Sequence, residues 1–541
     1  MRKQKLPLLR IRKGNPRLWA LKDPPEELSL APMRKTAAAL PLLALLLLPW
    51  MLTGCQIQRI ALAASDGKWN FSYAVVASEE TYQDPEWREV VDAMVTGHQA
   101  TLVLYSGDVS LCRERLAPQM PRYTAFVARP EECGRDYVAA VHRLTRKLDD
   151  DPWLDTQWGI ITGKNAQKAL ALTQTPPPLE ITRALATTGL REELFNEYFL
   201  LSDANPPGGW LWKKPGGSVA RGRDNLGKND AFAWAEYFNN SVPDLLVTSS
   251  HGFENGVEMP FGRGILRVKD GQLYPIADPR QKAPAADTPA IFPSDNRKVY
   301  FPVGNCLVGH VNGPDCMVTA MMGEYGVRQM AGYTVNTWFG RGGWDMLALW
   351  QKLPARYSFS EAFFFNQQAM LADIQQLDPA ALNYTIRLGE GEVGLQQHIQ
   401  DMATAGLKFD PRNMRNPRNR QNKDAQLVGL LWDIDTVAFY GDPAWHASFE
   451  ALRIPSFLSV GVQHLGGQSF QLQVTINDPA SAMQNDTPLC LMFTTRLRNP
   501  RIVSGYQYQP VLADNFIMLR NPRPQPGEST ITVEFEGEPI E

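Results

Sequence analysis

The chain has 541 residues, 44% of them hydrophobic, with 14 Trp and 6 Cys. It is too long for one small domain and apolar enough for large cores. Residues 1–54 carry 10 Lys/Arg against 3 Asp/Glu, and the remainder carries 44 against 54, a net of −10, which argues against a nucleic-acid partner.

In chain order, the first feature is the almost wholly apolar run TAAALPLLALLLLPWML, residues 36–52, preceded by Arg34 and Lys35 and followed by Gly54 and Cys55. A basic segment, an apolar core and small residues before a cleavage point predict an export signal over 1–54. Met33 stands where such a signal should begin, so residues 1–32 read as an over-long start. The ending Leu52-Thr53-Gly54-Cys55 resembles a bacterial lipobox, which implies cleavage before Cys55 and lipid on its sulfur. Residues 55–71 would then be a lipidated linker. The bacterial membrane would be a partner through that anchor, and the location the cell envelope, outer-membrane or periplasm-facing. A single membrane-spanning helix is the alternative, at the lower limit of length. With Cys55 lipidated, Cys112, Cys133, Cys306, Cys316 and Cys490 remain. Five irregularly spaced cysteines are not a disulfide framework, so at least one free thiol is expected.

Residues 72–175 predict an α/β subdomain. SYAVVAS, ATLVLYS, YTAFVAR and WGIITG read as strands, and 84–98, 133–148 and the stretch after 163 as amphipathic helices. Strands separated by helices predict a mainly parallel sheet covered on both faces. The stretch 205–225, rich in Gly, Pro and basic residues, reads as a long loop. Alternation resumes over 176–447 with PDLLVTSS, KVYFPVGN, the helix-like DCMVTAMMGEYG and VRQMAGYTVNT. Two or three helical patterns follow over 355–403, and 410–424 reads as a solvated loop. From 448 to 541 short β-rich runs between turn signals predict a small β-sandwich.

Two of these strands end in residues that carry chemistry. LLVTSS runs into His251-Gly252, and VYFPVG runs into Asn305-Cys306. Open α/β sheets bind ligands beyond the carboxyl ends of their strands, so adjacent parallel strands would present an imidazole and a thiol at one edge. Such a pair makes a nucleophile: the imidazole takes the thiol proton, and the thiolate attacks a carbonyl carbon. The N–H groups of Gly252 and Cys306 are the candidate oxyanion donors. A buried structural Cys306 and a plain loop His251 are the alternatives. Cys306, His310 and Cys316, with His251 as a fourth ligand, match no common zinc spacing, so no metal is assigned.

LLVTSSHG followed by a strand ending in Cys306 resembles the signature of the caspase–legumain–gingipain clan of cysteine peptidases. Within it the chain resembles the gingipain family, through GNCLVGHVNGPDCMVTAMM, AGYTVNTWFGRGGWD, DPWLDTQWGIITG and FYGDPAW. The match spans roughly residues 150–541. It implies a caspase-like fold with an immunoglobulin-like sandwich behind it, Cys306 as nucleophile, His251 as general base and later acid, and Gly252 and Cys306 as the oxyanion hole. It also implies Trp338 in the pocket for the side chain before the cut bond, a structural Cys316, and a protein or peptide as substrate. The family's structural calcium has no matching Asp/Asn-rich loop here, and no other cofactor is implied. The 55-residue gap from His251 to Cys306 is longer than the family usually shows. The extra material near 262–297 reads as a surface flap, and no acid that orients His251 can be named. Two further readings use the same residues: a non-catalytic envelope protein serving binding or secretion, and a transpeptidase with an amine in place of water.

Overall fold

The apolar runs bounded by turn residues become strands. In the computed structural model, which describes residues 72–204, 206–223, 229–277, 288–388, 392–408, 422–450 and 456–540, twelve strands form one sheet. Across it lie Thr101–Tyr105, Tyr73–Ser78, Tyr123–Val127, Gln157–Ile161, Val437–Tyr440, Val327–Tyr333, Lys298–Pro302, Leu245–Thr248, Arg183–Ala186, Glu197–Leu201, Gly209–Lys213 and Val219–Arg223. Eight of the eleven neighbouring pairs are parallel, which makes the sheet mostly parallel. The antiparallel pair Val437–Tyr440 with Val327–Tyr333 divides it into two blocks running in opposite directions.

Helices cover both faces. Tyr73, Val75 and Ala77 pack with Trp87, Val90, Val91 and Met94 of helix Pro85–His98, while Ala74 and Val76 join the other core with Val138, Val141 and Leu144 of helix Arg135–Thr145. Strands buried on both faces read as unbroken apolar runs, which is why YAVVAS, LLVT and KVYFP stand out in the sequence. Helix Pro85–His98 starts where the Asp84 carboxylate accepts from the N–H groups of Glu86 and Trp87, and it ends at Gln99, which has φ +51°. Among the described residues, no helix is long and apolar enough to cross a membrane. The signal 1–54, Cys55 and the linker 55–71 lie outside the described residues.

Two stretches depart from the sequence reading. The described part of the stretch 205–225, residues 206–223, does not form a long loop. Gly209–Lys213 and Val219–Arg223 are an antiparallel hairpin that extends the sheet edge. The Trp212 ring meets Phe199 and Tyr237 edge-on at 6.2 and 6.3 Å, and packing of that partly buried ring against the core outweighs the Gly- and Pro-rich composition. The insert after His251 is more than a flap. Gly252–Phe253, Gly256–Glu258, Ile265–Lys269 and Gln272–Ile276 make a four-stranded antiparallel sheet, with Ile265, Leu266, Val268, Leu273 and Ile276 buried. Residues 278–287 of that insert, and most of 410–424, lie outside the described residues.

The C-terminal region forms two antiparallel sheets, Leu458–Gly466, Ser469–Ile476, Thr530–Pro539 and Leu497–Ile502 in one, Leu489–Met492, Phe516–Leu519 and Pro510–Leu512 in the other. It is bonded to the α/β part through Arg122 Nη1 to the Phe493 carbonyl (2.9 Å), Asn515 Nδ2 to the Leu154 carbonyl (3.0 Å) and the Cys490 N–H to Tyr357 Oη (2.9 Å).

Candidate active site

The strands Leu245–Thr248 and Lys298–Pro302 are direct neighbours, parallel, with Thr248 opposite Pro302. Their carboxyl ends therefore leave the sheet together. The Val303 N–H still donates to the Thr248 carbonyl (2.9 Å), after which the two chains turn into the His251 and Cys306 loops. Past Cys306 the chain turns sharply at Leu307, φ +63°. The Leu307 and Gly309 N–H groups donate to the carbonyls of Val335 (3.1 Å) and Tyr333 (2.9 Å), and Tyr440 Oη donates to the Gly309 carbonyl (2.7 Å). Gly309 admits no side chain, because a Cβ there would lie 2.1 Å from the Gly332 carbonyl oxygen.

The two loops touch. A Cβ built on Gly252 would stand 2.9 Å from the Cys306 carbonyl oxygen, 2.9 Å from Asn305 Cβ and 2.7 Å from Val308 Cγ2. Only glycine allows that approach. Gly252 also begins the edge strand of the inserted sheet. The Glu258 N–H donates to the His251 carbonyl (2.9 Å), so Gly252 and Val257 form a non-bonded pair of the ladder. The Gly252 N–H therefore points off the sheet edge.

Cys306 is half-buried and His251 exposed. Among the described residues, no hydrogen bond joins the imidazole to the thiol. The sulfur instead accepts from the Thr337 N–H at 3.2 Å. Burial pushes the Cys306 thiol above its ordinary range, and the Thr337 N–H pulls in the opposite direction by favouring thiolate. Thr337 precedes Trp338, so the segment that carries the expected pocket residue reaches the sulfur. The Trp338 ring is partly buried against the core, 6.3 Å from Phe339. Cys112, Cys133, Cys316 and Cys490 are buried free thiols, and Cys316 caps helix Met317–Glu324, bonded to Thr319.

Several residues at the site have partners that the sequence does not reveal. Asn305, on the cysteine loop, accepts from Thr248 Oγ1 and donates to the His251 carbonyl, so it ties that loop to the histidine loop. The Asp203 carboxylate accepts from Ser249 Oγ (2.9 Å) and from the Thr188 side chain, and burial holds it above the usual carboxylate range. His310 is more than a bystander. Its Nδ1 lies 3.3 Å from Glu254 Oε1 and 3.1 Å from Arg135 Nη2. With a proton it donates to Glu254, and without one it accepts from Arg135. This contact draws Glu254, three residues past His251, toward the cysteine loop, and it holds the Glu254 carboxyl below its ordinary range.

Among the described residues, Cys306, His310 and Cys316 do not gather their ligand atoms into one cluster, and Cys316 is engaged with the start of its helix. Elsewhere the carboxylates of Asp149, Asp151 and Asp514 lie within 4.8 Å of one another. These are hard oxygen donors of the kind calcium takes. Arg496 already supplies a positive charge on Asp514.

No protein-family model matches the sequence, and no curated protein matches it. Among solved structures, a complex of the pro- and mature domains of Porphyromonas gingivalis RgpB aligns with 87% of this chain and 100% of its own, at TM-score 0.38 and 10% identity. A second, described only as a protease, aligns with 76% of this chain and 87% of its own, at TM-score 0.34 and 8% identity. Likenesses this distant assign no activity. The site has to be read from its own geometry.

Proposed function

We propose that this chain is a cysteine-type endopeptidase of gingipain-like, caspase-like architecture. It would be anchored in a bacterial envelope through lipid on Cys55 and would act on proteins or peptides with no cofactor. The observation that carries the reading is the pairing of Leu245–Thr248 with Lys298–Pro302, which brings His251 and Cys306 off one sheet edge with Gly252 against the Cys306 backbone. In the reaction His251 takes the Sγ proton and the thiolate attacks the scissile carbonyl. The resulting oxyanion accepts from the Gly252 and Cys306 N–H groups. Collapse expels the amine, which receives the proton from His251, and water deprotonated by His251 then hydrolyses the thioester. The Thr337 N–H would stabilise the thiolate throughout. Trp338 would line the pocket beside it. The two C-terminal sheets would be the immunoglobulin-like module.

A second reading has its own support. The sulfur is bonded to Thr337 and not to His251, and burial raises the thiol. Both features suit a peptidase fold kept as a non-catalytic binding platform.

Labelling separates the two. The purified protein is treated with a peptide-based electrophile, as wild type, Cys306→Ala and His251→Ala, and the modified residue is mapped by mass spectrometry. The peptidase reading expects label on Cys306, abolished by the first substitution and sharply reduced by the second. Label indifferent to His251, in a folded protein, would establish the platform instead.

A further inference from the structure

A buried amide lies between the two loops of the site. Asn305 is fully buried. Its Oδ1 accepts from Thr248 Oγ1 at 2.8 Å, and its Nδ2 donates to the carbonyls of Ser250 (3.1 Å) and His251 (3.2 Å). Thr248 Oγ1 lies 3.0 Å from Tyr300 Oη. These contacts leave one orientation. If the amide were reversed, its oxygen would face two carbonyl oxygens and its NH2 would face a hydroxyl. Once Thr248 gives its proton to Asn305, it accepts from Tyr300. The chain runs Tyr300, Thr248, Asn305, then the carbonyls of the Ser250–His251 and His251–Gly252 peptides, with every donor used.

What the amide holds is a strained turn. Ser250 has φ +100°, a conformation that a non-glycine residue keeps only when its surroundings impose it. Two hydrogen bonds from Asn305 fall on the carbonyls of that residue and the next. Asn305 Cβ also bounds the space at Gly252. The side chain beside the thiol thus fixes the backbone of the imidazole and of the first oxyanion donor, although strand pairing ends at Thr248.

We infer that Asn305 is the positioning residue of the site: its amide locks the Ser250–Gly252 backbone against Cys306 and so sets where His251 and the Gly252 N–H stand relative to the sulfur. This deepens the peptidase reading and rests on it for its catalytic consequence. The lock itself can be read without activity.

The test compares wild type with Asn305→Ala and Asn305→Asp in the full protein. Asn305→Asp keeps an acceptor for Thr248 but sets a carboxylate oxygen against the two carbonyls. Three quantities are read: melting temperature, hydrogen exchange of the segment 249–256 against 243–248, and the ratio of peptide-electrophile to iodoacetamide labelling at Cys306. The lock predicts exchange protection lost in 249–256 alone, and a labelling ratio lower by about tenfold to a hundredfold in both variants. A merely structural asparagine would lower the melting temperature and both labelling rates together, with exchange rising in both segments, and that would overturn the inference. Unchanged exchange and an unchanged ratio would overturn it while leaving the peptidase reading intact. Absence of peptide labelling in wild type would sink the peptidase reading, and the exchange result would still decide the lock.

Discussion

Replacing Gly252 by Ala is the most direct challenge to the site geometry. The new methyl would meet Val308 Cγ2 at 2.7 Å, Asn305 Cβ at 2.9 Å and the Cys306 carbonyl oxygen at 2.9 Å. Ordinary contact between such atoms needs about 3.5–4 Å, so roughly 0.6–1.3 Å must open between the histidine hairpin and the cysteine loop. None of the three atoms is the far end of a flexible side chain, because Asn305 is held by its own hydrogen bonds and the loop by Val335 and Tyr333. Overpacking of this kind costs about 1–3 kcal/mol in stability. The larger effect falls on the chemistry, since a displacement near 1 Å can cost about a hundredfold in rate. The assay is the rate of peptide-electrophile labelling at Cys306, with iodoacetamide as the control for thiol access. The expected outcome is a fall in the first with little change in the second. Wild-type peptide labelling in a folded Gly252→Ala protein would refute the close approach of the two loops, and with it the proposed oxyanion donor.

Three further outcomes follow from groups around the site. Asp433 accepts from Tyr333 Oη (3.0 Å) and the Gly342 N–H (2.9 Å), and burial pushes its carboxyl up to about 7. The folded protein therefore keeps a proton that the unfolded chain loses above about pH 4, and stability falls by about 4 kcal/mol between pH 4 and 7 before levelling off. The substitution Asp433→Asn would remove that slope, so denaturant unfolding of this variant should gain on wild type between pH 5 and 8; a constant difference would contradict the buried acid. Glu254 has the opposite sign: its lowered carboxyl adds stability that is present above about pH 4.3 and lost as pH falls, worth no more than about 1 kcal/mol for a partly exposed pair. Glu254→Gln and wild type should therefore converge in melting temperature in acid. Ser250→Gly relieves φ +100° and should raise the melting temperature, with peptide labelling retained; no gain would mean that the turn is unstrained.

The parallel core was legible because its strands are buried on both faces and appear as continuous apolar runs. The pairing of the strands that lead into His251 and Cys306 was legible for the same reason, once two such runs ended in chemistry-bearing residues. The hairpin Gly209–Lys213 with Val219–Arg223 was hidden by its turn, PGGS, and by charged residues on an edge that faces solvent. The inserted sheet was hidden because its first two strands hold only two and three residues, too few for any periodicity. Asn305 is visible beside Cys306 in the sequence, but its hydrogen bonds reach back more than fifty residues. The Thr337 contact involves a backbone N–H, which every residue but proline has, so no residue type could announce it.

On the peptidase reading, the geometry also sets what the histidine would have to supply. Burial penalises the Cys306 thiolate, and in this structure one N–H from Thr337 offsets only part of that penalty, leaving the thiol above its ordinary range. A second backbone dipole is a weak remedy beside a full charge, because an imidazolium within a few ångströms of a thiolate stabilises it by Coulomb attraction that the buried setting strengthens. Asn305 and Gly252 fix the two loops against each other without any contact between the imidazole and the thiol. On the peptidase reading, the frame and an ion pair of His251 with Cys306 would therefore be separable. Loss of Asn305 should disturb the frame and the pair together, whereas loss of His251 should leave the frame intact and take away only the charge.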